Sequence, residues 1–232
     1  MGSTQLDAFL RRLTAERRVL LLGGLAVIAH GLSRATKDAD VWLEPMSSPE
    51  EWAGVLASAW ADFPDLRLAR LPHWTPLASR EEIAVAADET GMVRVNGLEC
   101  PLDIFRRPNE IEIEDFETMW ARSTLKEDGV HLLDAIDLLV SKEDTGRDHD
   151  LADQRFLEGK IRRDFGDRLA VGSLEETRSL FARYTDHVVC EHALRNPDPA
   201  VQALAREVLE ELVAQGDWFS RDVLARLDGG PV

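Results

Sequence analysis

The chain has 232 residues, of which 44% are hydrophobic, and its 43 acidic and 27 basic residues give a formal net charge of −16. This length and apolar content predict a sizeable core in one domain or two small lobes. The charge excludes tight nucleic-acid binding over the whole surface, because such binding depends on cations that neutralise phosphates. Two cysteines without metal or disulfide spacing, the lack of a signal-like N-terminus and short apolar runs predict a soluble, cytoplasmic protein with no membrane partner.

The N-terminal segment combines a helix, a buried strand and a glycine turn. An amphipathic helix is predicted over residues 6–13, and the apolar run 19–22 is typical of a strand buried on both faces. Gly23 and Gly24 end this strand, and residues 25–32 form a predicted short helix. Glycine lets a ligand approach backbone N–H groups at a helix start, so we expect the turn to bind phosphate. A glycine pair after a strand can also be a turn and nothing more.

Two alternating carboxylates follow this helix. Asp38 and Asp40 alternate with Ala39, Val41 and Leu43, so a strand would place both acids on one face and the aliphatic side chains on the other. Adjacent carboxylates repel each other unless a cation lies between them. The pair therefore predicts a cation site, with a solvated strand end as the alternative.

A third acid is predicted in the middle of the chain. Residues 48–51, Ser-Pro-Glu-Glu, form a capping box that begins a helix ending near Trp60. Asn96-Gly97 is a hairpin signal, and Asp103 follows on the next strand, which we expect to neighbour the strand of the acid pair. Four segments in this region have strand-like patterns, namely residues 66–71, 83–87, 92–95 and 98–105. They predict a mixed or antiparallel sheet that continues from the first two strands.

From His131 onward the sequence predicts only helices, with N-caps at Asp134, Ser173 and Asp198. The predicted fold class is therefore α/β (α+β), with a small mixed-sheet core followed by a helical lobe. We place the catalytic core in residues 1–130 and the helical domain in residues 131–232.

The three acids have the chemistry of a magnesium site. Mg²⁺ prefers a few carboxylate oxygens together with water and substrate phosphates, and two such ions can stabilise the attacking and leaving oxygens of an in-line displacement. Asp38, Asp40 and Asp103 are the predicted ligands and catalytic residues of such a two-metal site.

This order of motifs resembles the nucleotidyltransferase superfamily, in which a glycine pair after a strand precedes an Asp-x-Asp pair and a third acid. Arg34 and Thr36, just before the acid pair, make the chain most similar to the AbiEii-type toxin group. That group also has a downstream helical motif with a lysine, an arginine and two acids. The segment KEDTGRDHDLADQRFL matches it with Lys142, Arg147, Asp150 and Asp153, and the resemblance covers residues 18 to 160.

The resemblance implies a Mg²⁺-dependent enzyme that transfers a nucleoside monophosphate from an NTP to an acceptor hydroxyl. It implies that the nucleotide is bound by Gly23, Gly24, Arg34, Thr36, Lys142, Arg147 and Asp150. Relatives in this group are toxins of toxin-antitoxin or phage-defence systems, and some transfer nucleotides to tRNA. The acceptor could accordingly be tRNA, a protein or a small molecule, with an antitoxin as a further partner.

Other interpretations of the same residues remain open. The acidic composition favours a cationic acceptor, such as an aminoglycoside or a basic protein patch, while a catalytically silent nucleotide-binding or partner-binding module is a further alternative. A strip of basic residues could serve RNA or could balance neighbouring acids: Lys142, Arg147, Arg155, Lys160, Arg162 and Arg163. Asp150 and Asp153 could interact with a helix dipole, and His30 is expected to be a packed, hydrogen-bonded residue.

Overall fold

The computed structural model describes residues 4–108, 111–126, 129–142 and 148–229. The chain divides into two compact units, residues 1–155 and residues 156–232. The predicted division into a catalytic core (1–130) and a helical domain (131–232) stays a prediction, since the units describe how the residues pack and not which segments fold independently. Among the described residues, no helix is both long enough and apolar enough to cross a membrane.

The first unit is built on a mixed eight-stranded sheet with the order β4-β3-β5-β6-β2-β1-β8-β7. Its strands are β1 (Val19–Leu22), β2 (Ala39–Leu43), β3 (Arg67–Arg70), β4 (Thr75–Leu77), β5 (Met92–Asn96), β6 (Leu102–Phe105), β7 (Thr124–Leu125) and β8 (His131–Leu132). The β2–β6 and β1–β8 pairs are parallel, and the other neighbouring pairs are antiparallel. The predicted α/β fold class is confirmed.

Helices alternate with these strands. In chain order they are α1 (Gln5–Thr14), α2 (Gly23–Ala29), α3 (Pro49–Ala61), α4 (Arg80–Glu89), α5 (Phe116–Arg122) and α6 (Ala135–Val140), with a short 3-10 turn at Ile113–Asp115. The boundary between the two units falls within α7 (Asp148–Leu169). The second unit continues through α8 (Leu174–Phe181), α9 (His187–Ala193), α10 (Pro199–Ala214) and α11 (Trp218–Leu227).

The predicted N-caps are confirmed. The Ser48 side chain accepts a hydrogen bond from the Glu51 N–H at the start of α3, where Pro49 occupies the first helical position. Asp134, Ser173 and Asp198 likewise accept backbone N–H bonds at the starts of α6, α8 and α10. A capping oxygen satisfies one of the N–H groups that a helix start leaves without a partner, so short polar residues mark these boundaries in the sequence.

Two sequence-based predictions about secondary structure are wrong. Residues 83–87 lie in α4 and not in a strand, because Ser79 caps the helix and the buried side chains recur three or four residues apart. The prediction of helices alone after His131 is also wrong, since His131 and Leu132 form β8 beside β1. A two-residue strand has too little alternation to be recognised from the sequence.

The main hydrophobic core lies on one face of the sheet. Side chains from α1, α3 and α4 pack there against alternate residues of the strands, and Phe9, Trp52 and Ile83 are fully buried. The edge-to-face contact of Phe9 with Phe63, with ring centroids 5.2 Å apart, belongs to this core. The strand residues in between point to the opposite face. That opposite face carries the acids.

Candidate active site

Asp40 and Asp103 are neighbours on adjacent strands. β2 and β6 are parallel, with Asp40 directly opposite Asp103 in the register. In both strands the aliphatic neighbours of the acid belong to the main core, namely Ala39 and Val41 in β2 and Leu102 and Ile104 in β6. The alternation therefore turns both carboxylates to the opposite face of the sheet. The prediction that the third acid lies on a strand next to the acid pair is confirmed.

The glycine turn provides space for the acid. Gly23 has φ of +57°, and a Cβ atom built on it would lie 1.9 Å from Asp40 Oδ2. A Cβ on Gly24 would lie 2.7 Å from Thr36 Oγ1 and 2.8 Å from Arg34 Nη2. Both glycines are therefore required by the close approach of side chains from the motif that follows them. Phosphate binding by the turn stays a prediction.

Asp40 is strongly perturbed by its surroundings. The pKa of Asp40 is raised to about 6, first by burial and then by the negative charges of Asp38 and Asp103, while the positive charges of Lys142 and Arg94 oppose the shift. A carboxyl pKa near neutrality marks a group whose ionised form lacks compensation and would be stabilised by an added cation. Such a shift is common at functional sites, although structural clusters also produce it.

The sequence-based interpretation missed Arg94. This residue lies on β5 opposite Asp103, and its guanidinium donates two hydrogen bonds, Nε to Oδ1 and Nη2 to Oδ2, each 2.6 Å long. Its Nη2 also lies 3.7 Å from Asp38 Oδ2. One arginine thus contacts two of the three acids. The available signal was its position between Val93 and Val95, which the period of two places on the same face as Asp103.

Arg94 is covered by an aromatic ring. Its guanidinium carbon lies 3.8 Å from the centroid of the Trp74 ring, in the geometry of a cation–π contact. Trp74 ends the loop between β3 and β4, where both His73 and Trp74 have positive φ, of 67° and 53°. Such backbone conformations are uncommon for residues other than glycine and cluster at functional sites.

The downstream lysine lies in a buried ionic network. Lys142 Nζ is 2.8 Å from Asp150 Oδ1 and 3.1 Å from Asp153 Oδ2, and Arg34 Nη2 is 2.7 Å from the same Asp153 oxygen. Asp150 and Asp153 lie about one turn apart in α7, and Asp153 has 0% exposure. These acids therefore have a specific ionic role and do more than interact with the helix dipole.

This network joins the motifs before and after the core acids. Thr36 Oγ1 donates to the Asp38 carbonyl at 3.1 Å, and Arg34, two residues earlier, contacts Asp153 in α7. Among the described residues, Arg34 Nε and Asp153 Oδ1 are buried without a hydrogen-bond partner. Buried polar atoms are usually paired, so these two retain binding capacity for a further polar group. Arg147 was predicted to bind nucleotide and lies outside the described residues.

Two other basic residues of the predicted strip pair with acids. In the second unit, Lys160 Nζ lies 2.8 Å from Asp164 Oδ2, and Arg162 Nε lies 2.7 Å from Asp186 Oδ2. These contacts favour charge balance over a nucleic-acid surface. His30 Nε2 lies 2.8 Å from the Leu133 carbonyl, which confirms that it is packed and hydrogen-bonded.

Two clefts lie among residues other than the acids. One, of about 400 Å³, is lined by Arg17, Arg18, Glu44, Trp120 and His131 and lies where β1 begins, four residues from the glycine turn. The other, of about 430 Å³, lies in the second unit between α9 and α11. The acid cluster is thus a feature of the sheet surface that is separate from either cleft.

The donor set fits one magnesium ion more readily than two. Among the described residues, no three carboxylate, histidine or cysteine side chains already form a metal site. Both oxygens of Asp103 accept from Arg94, which leaves Asp38 and Asp40 available. Mg²⁺ is commonly held by one or two carboxylates together with substrate phosphates, so this pair is sufficient for one ion.

Comparison with known proteins gives little further information. No protein-family model and no curated protein matches this chain. A solved structure described as a "putative nucleotidyltransferase from H. pylori" matches at 15% sequence identity, over 90% of this chain and 95% of that chain, with a TM-score of 0.38. A TM-score of this size reflects only a loose overlap of the two backbones.

Proposed function

We propose that this protein is a Mg²⁺-dependent nucleotidyltransferase. The observation that carries the proposal is the pairing of Asp40 with Asp103 on adjacent strands, with Asp38 at the entrance to β2 and a pKa of about 6 for Asp40. Three acids whose negative charges repel one another on one face of the sheet provide the negative potential that a divalent cation requires.

Asp38 and Asp40 would hold the ion together with the triphosphate. Bound there, Mg²⁺ would neutralise charge that develops on the phosphate oxygens. Asp103 would accept the proton of the acceptor hydroxyl as that oxygen attacks the α-phosphorus, and the α–β phosphoanhydride bond would break with loss of pyrophosphate. We also propose that Asp103 could bind a second ion, and for this Arg94 would have to give up its hydrogen bonds to Asp103.

The surrounding residues would position the nucleotide. The turn at Gly23 and Gly24 would admit the phosphates beside Asp40, and Arg34 and Thr36 form its other wall. Lys142, Asp150 and Arg147 would act from the α6–α7 region, with Lys142 providing positive charge near Asp40. Catalysis of this type depends mainly on positioning and charge neutralisation, so these residues would affect the rate without forming bonds.

The candidate acceptors are inferred from the sequence resemblance and not from the geometry of the site. An AbiEii-type toxin acting on tRNA or a protein is the first candidate, and an aminoglycoside-type small molecule is the second. An antitoxin partner belongs to the first candidate only. The fold itself does not select among these acceptors.

The test uses charge-neutral replacements of the two acids that would hold the ion. Wild type and the double variant Asp38→Asn/Asp40→Asn would be incubated with Mg²⁺ and each labelled NTP, with total tRNA, an aminoglycoside mixture or cell lysate as acceptor. Asp164→Asn, at an exposed α7 residue paired with Lys160, is the matched control. We expect label on one acceptor class with wild type and the control, and a loss of at least about 100-fold in the double variant. Equal transfer by wild type and the double variant would refute the proposal.

One observation favours a second candidate, a binding module that transfers nothing. Arg94 already neutralises Asp103, as an arginine does in a purely structural ion pair. Such a module would bind NTP without Mg²⁺ dependence and release no pyrophosphate. Measuring NTP affinity with and without Mg²⁺ separates the two candidates.

A further inference from the structure

We propose that Arg94 is an internal cation that competes with the divalent ion for the acid cluster, and that Trp74 holds it in place. This inference rests on the proposed metal site and adds a positioning residue to it. In the metal-free protein Arg94 would neutralise Asp103, and binding of the ion would displace it.

The contacts of Arg94 are those of a well-placed counter-ion. Its Nε and Nη2 atoms form a two-point hydrogen-bonded pair with Asp103, which is only 6% exposed, and Nη2 faces Asp38 at 3.7 Å. A planar guanidinium suits this geometry better than an ammonium group, which has a single charged centre. The pair thus compensates an acid that would otherwise be buried with an uncompensated charge.

Competition follows from the charges. A divalent ion bound by Asp38 and Asp40 would lie close to the Arg94 guanidinium, because the guanidinium contacts Asp38 and interacts electrostatically with Asp40. Like charges at such separations repel, most strongly where water is partly excluded. Ion binding should therefore weaken the Arg94 contacts, and removal of Arg94 should strengthen ion binding.

Trp74 gives the arginine a fixed position. The ring stacks on the guanidinium at 3.8 Å and is itself 39% exposed, so its contact with Arg94 can be removed with little effect on the core. Cation–π contacts at exposed sites are modest in strength. Loss of the ring should therefore have the same direction of effect as loss of Arg94, but a smaller size.

The exchange would control access to Asp103. While Arg94 is paired with both oxygens of Asp103, its positive charge repels a second ion, and each oxygen has only its remaining lone pair for an acceptor hydroxyl. Displacement of Arg94 by the ion would free Asp103 at the same time as the ion is bound. The guanidinium would then be available to the phosphates of the nucleotide, for which arginine is well suited.

The experiment measures Mn²⁺ binding directly, by titration calorimetry and by the loss of the free-ion electron paramagnetic resonance signal. Four variants of the full chain are compared with wild type: Arg94→Gln, Arg94→Lys, Trp74→Ala and Arg70→Gln. Arg70 is the matched control, because it is a β3 arginine that forms a surface ion pair with Glu89, 2.9 Å away.

We expect Arg94→Gln to bind Mn²⁺ about tenfold more tightly than wild type and Trp74→Ala about two- to threefold more tightly. Arg94→Lys keeps the charge and should lie between wild type and Arg94→Gln, while Arg70→Gln should match wild type. Arg94→Gln should also melt at a lower temperature without metal and recover with Mn²⁺, as repulsion among the acids predicts.

Equal or weaker Mn²⁺ binding by folded Arg94→Gln would overturn the inference, and if that variant does not fold, unchanged binding by Trp74→Ala would do so. Retained nucleotidyl transfer in wild type would then show that the proposed function survives. Absence of Mn²⁺ binding in wild type and all variants would overturn both the inference and the proposed metal site.

Discussion

Replacement of Gly23 by alanine tests whether the glycine turn exists to accommodate Asp40. The new Cβ atom would lie 1.9 Å from Asp40 Oδ2 and 2.6 Å from its Cγ, far inside van der Waals contact. The alanine would also have to adopt φ of +57°, which costs about 1 kcal/mol for a residue with a Cβ atom. The shifts of atoms needed to relieve the overlap should destabilise the folded state by a further amount of about 1–3 kcal/mol, as at other overpacked sites.

Gly216→Ala provides the matched comparison. Gly216 also has positive φ, of 100°, but a Cβ atom there would meet no atom within 4 Å. The destabilisation caused by its replacement should therefore come only from the unfavourable backbone conformation. We predict that Gly23→Ala lowers the free energy of unfolding by about 2–4 kcal/mol, and Gly216→Ala by about 1–2 kcal/mol, since the φ of Gly216 is further from the left-handed region that alanine can adopt.

Urea denaturation followed by tryptophan fluorescence is a suitable assay for Gly23→Ala, because five of the six tryptophans lie in residues 1–155. The effect of Gly216→Ala, in the second unit, would be followed by circular dichroism at a helical wavelength. The same Gly23→Ala change in an Asp40→Gly background should have a much smaller effect, since the overlapping atoms are then gone. An equal effect in both backgrounds would refute the argument that Asp40 requires the glycine.

Three further predictions concern charge and capping. In wild type, the free energy of unfolding should fall as the pH rises from about 4 to about 6, because Asp40, with its pKa raised to about 6, binds more protons in the folded than in the unfolded state in that window. Asp40→Asn should remove this fall. Asp153→Asn should lower stability by about 3 kcal/mol, because Arg34 and Lys142 then share a buried site with one charged partner fewer. Ser48→Ala should cost about 1 kcal/mol through loss of the α3 cap.

Each of these predictions has a definite contrary result. For Asp40, the contrary result would be the same change in the free energy of unfolding with pH in wild type and variant, measured by urea titrations at several pH values without divalent ions. For Asp153, a loss no larger than that of Asp164→Asn, at the exposed Lys160 pair, would mean that the buried network is energetically neutral. For Ser48, full recovery of stability by Ser48→Thr is expected, and failure to recover would point to a cause other than capping.

The sequence predicted the acid side of the site because strand alternation is a local property. Asp38 and Asp40 are separated by one apolar residue, and a period of two places them together in any strand. Asp103 follows the same rule within β6, and its partner strand followed from the order of the motifs. Caps such as Ser48 were predictable for a similar reason, since their hydrogen bonds reach only two or three residues.

The Arg94–Asp103 pair depends on strand register, which the sequence indicates less directly. A two-residue turn at Asn96-Gly97 would place Arg94 opposite Glu99. The observed ladder instead pairs Val95 with Leu102 and Arg94 with Asp103, so six residues, 96–101, connect the paired strands. Pro101 lies just before β6 and has no N–H group to donate to a ladder that begins earlier.

Packing between distant segments lay further outside the reach of the sequence. Arg34 and Asp153 are separated by 119 positions, and their contact was suggested only by the motif resemblance. Residues 83–87 have an apolar run that suits either a strand or a helix, and the choice was made by the Ser79 cap and by packing on the sheet. Short elements such as β8 are defined by their partner strand rather than by their own residues.

We propose that the acid cluster supports transfer of the nucleotidyl group of the NTP and not of its terminal phosphate. The most direct measurement compares α-labelled and γ-labelled NTP in the presence of Mg²⁺ and the responsive acceptor, with wild type and Asp38→Asn/Asp40→Asn. The proposed function predicts α-label on the acceptor and γ-label in pyrophosphate, both lost in the double variant. Transfer of γ-label to the acceptor, or label transfer that survives in the double variant, would contradict it.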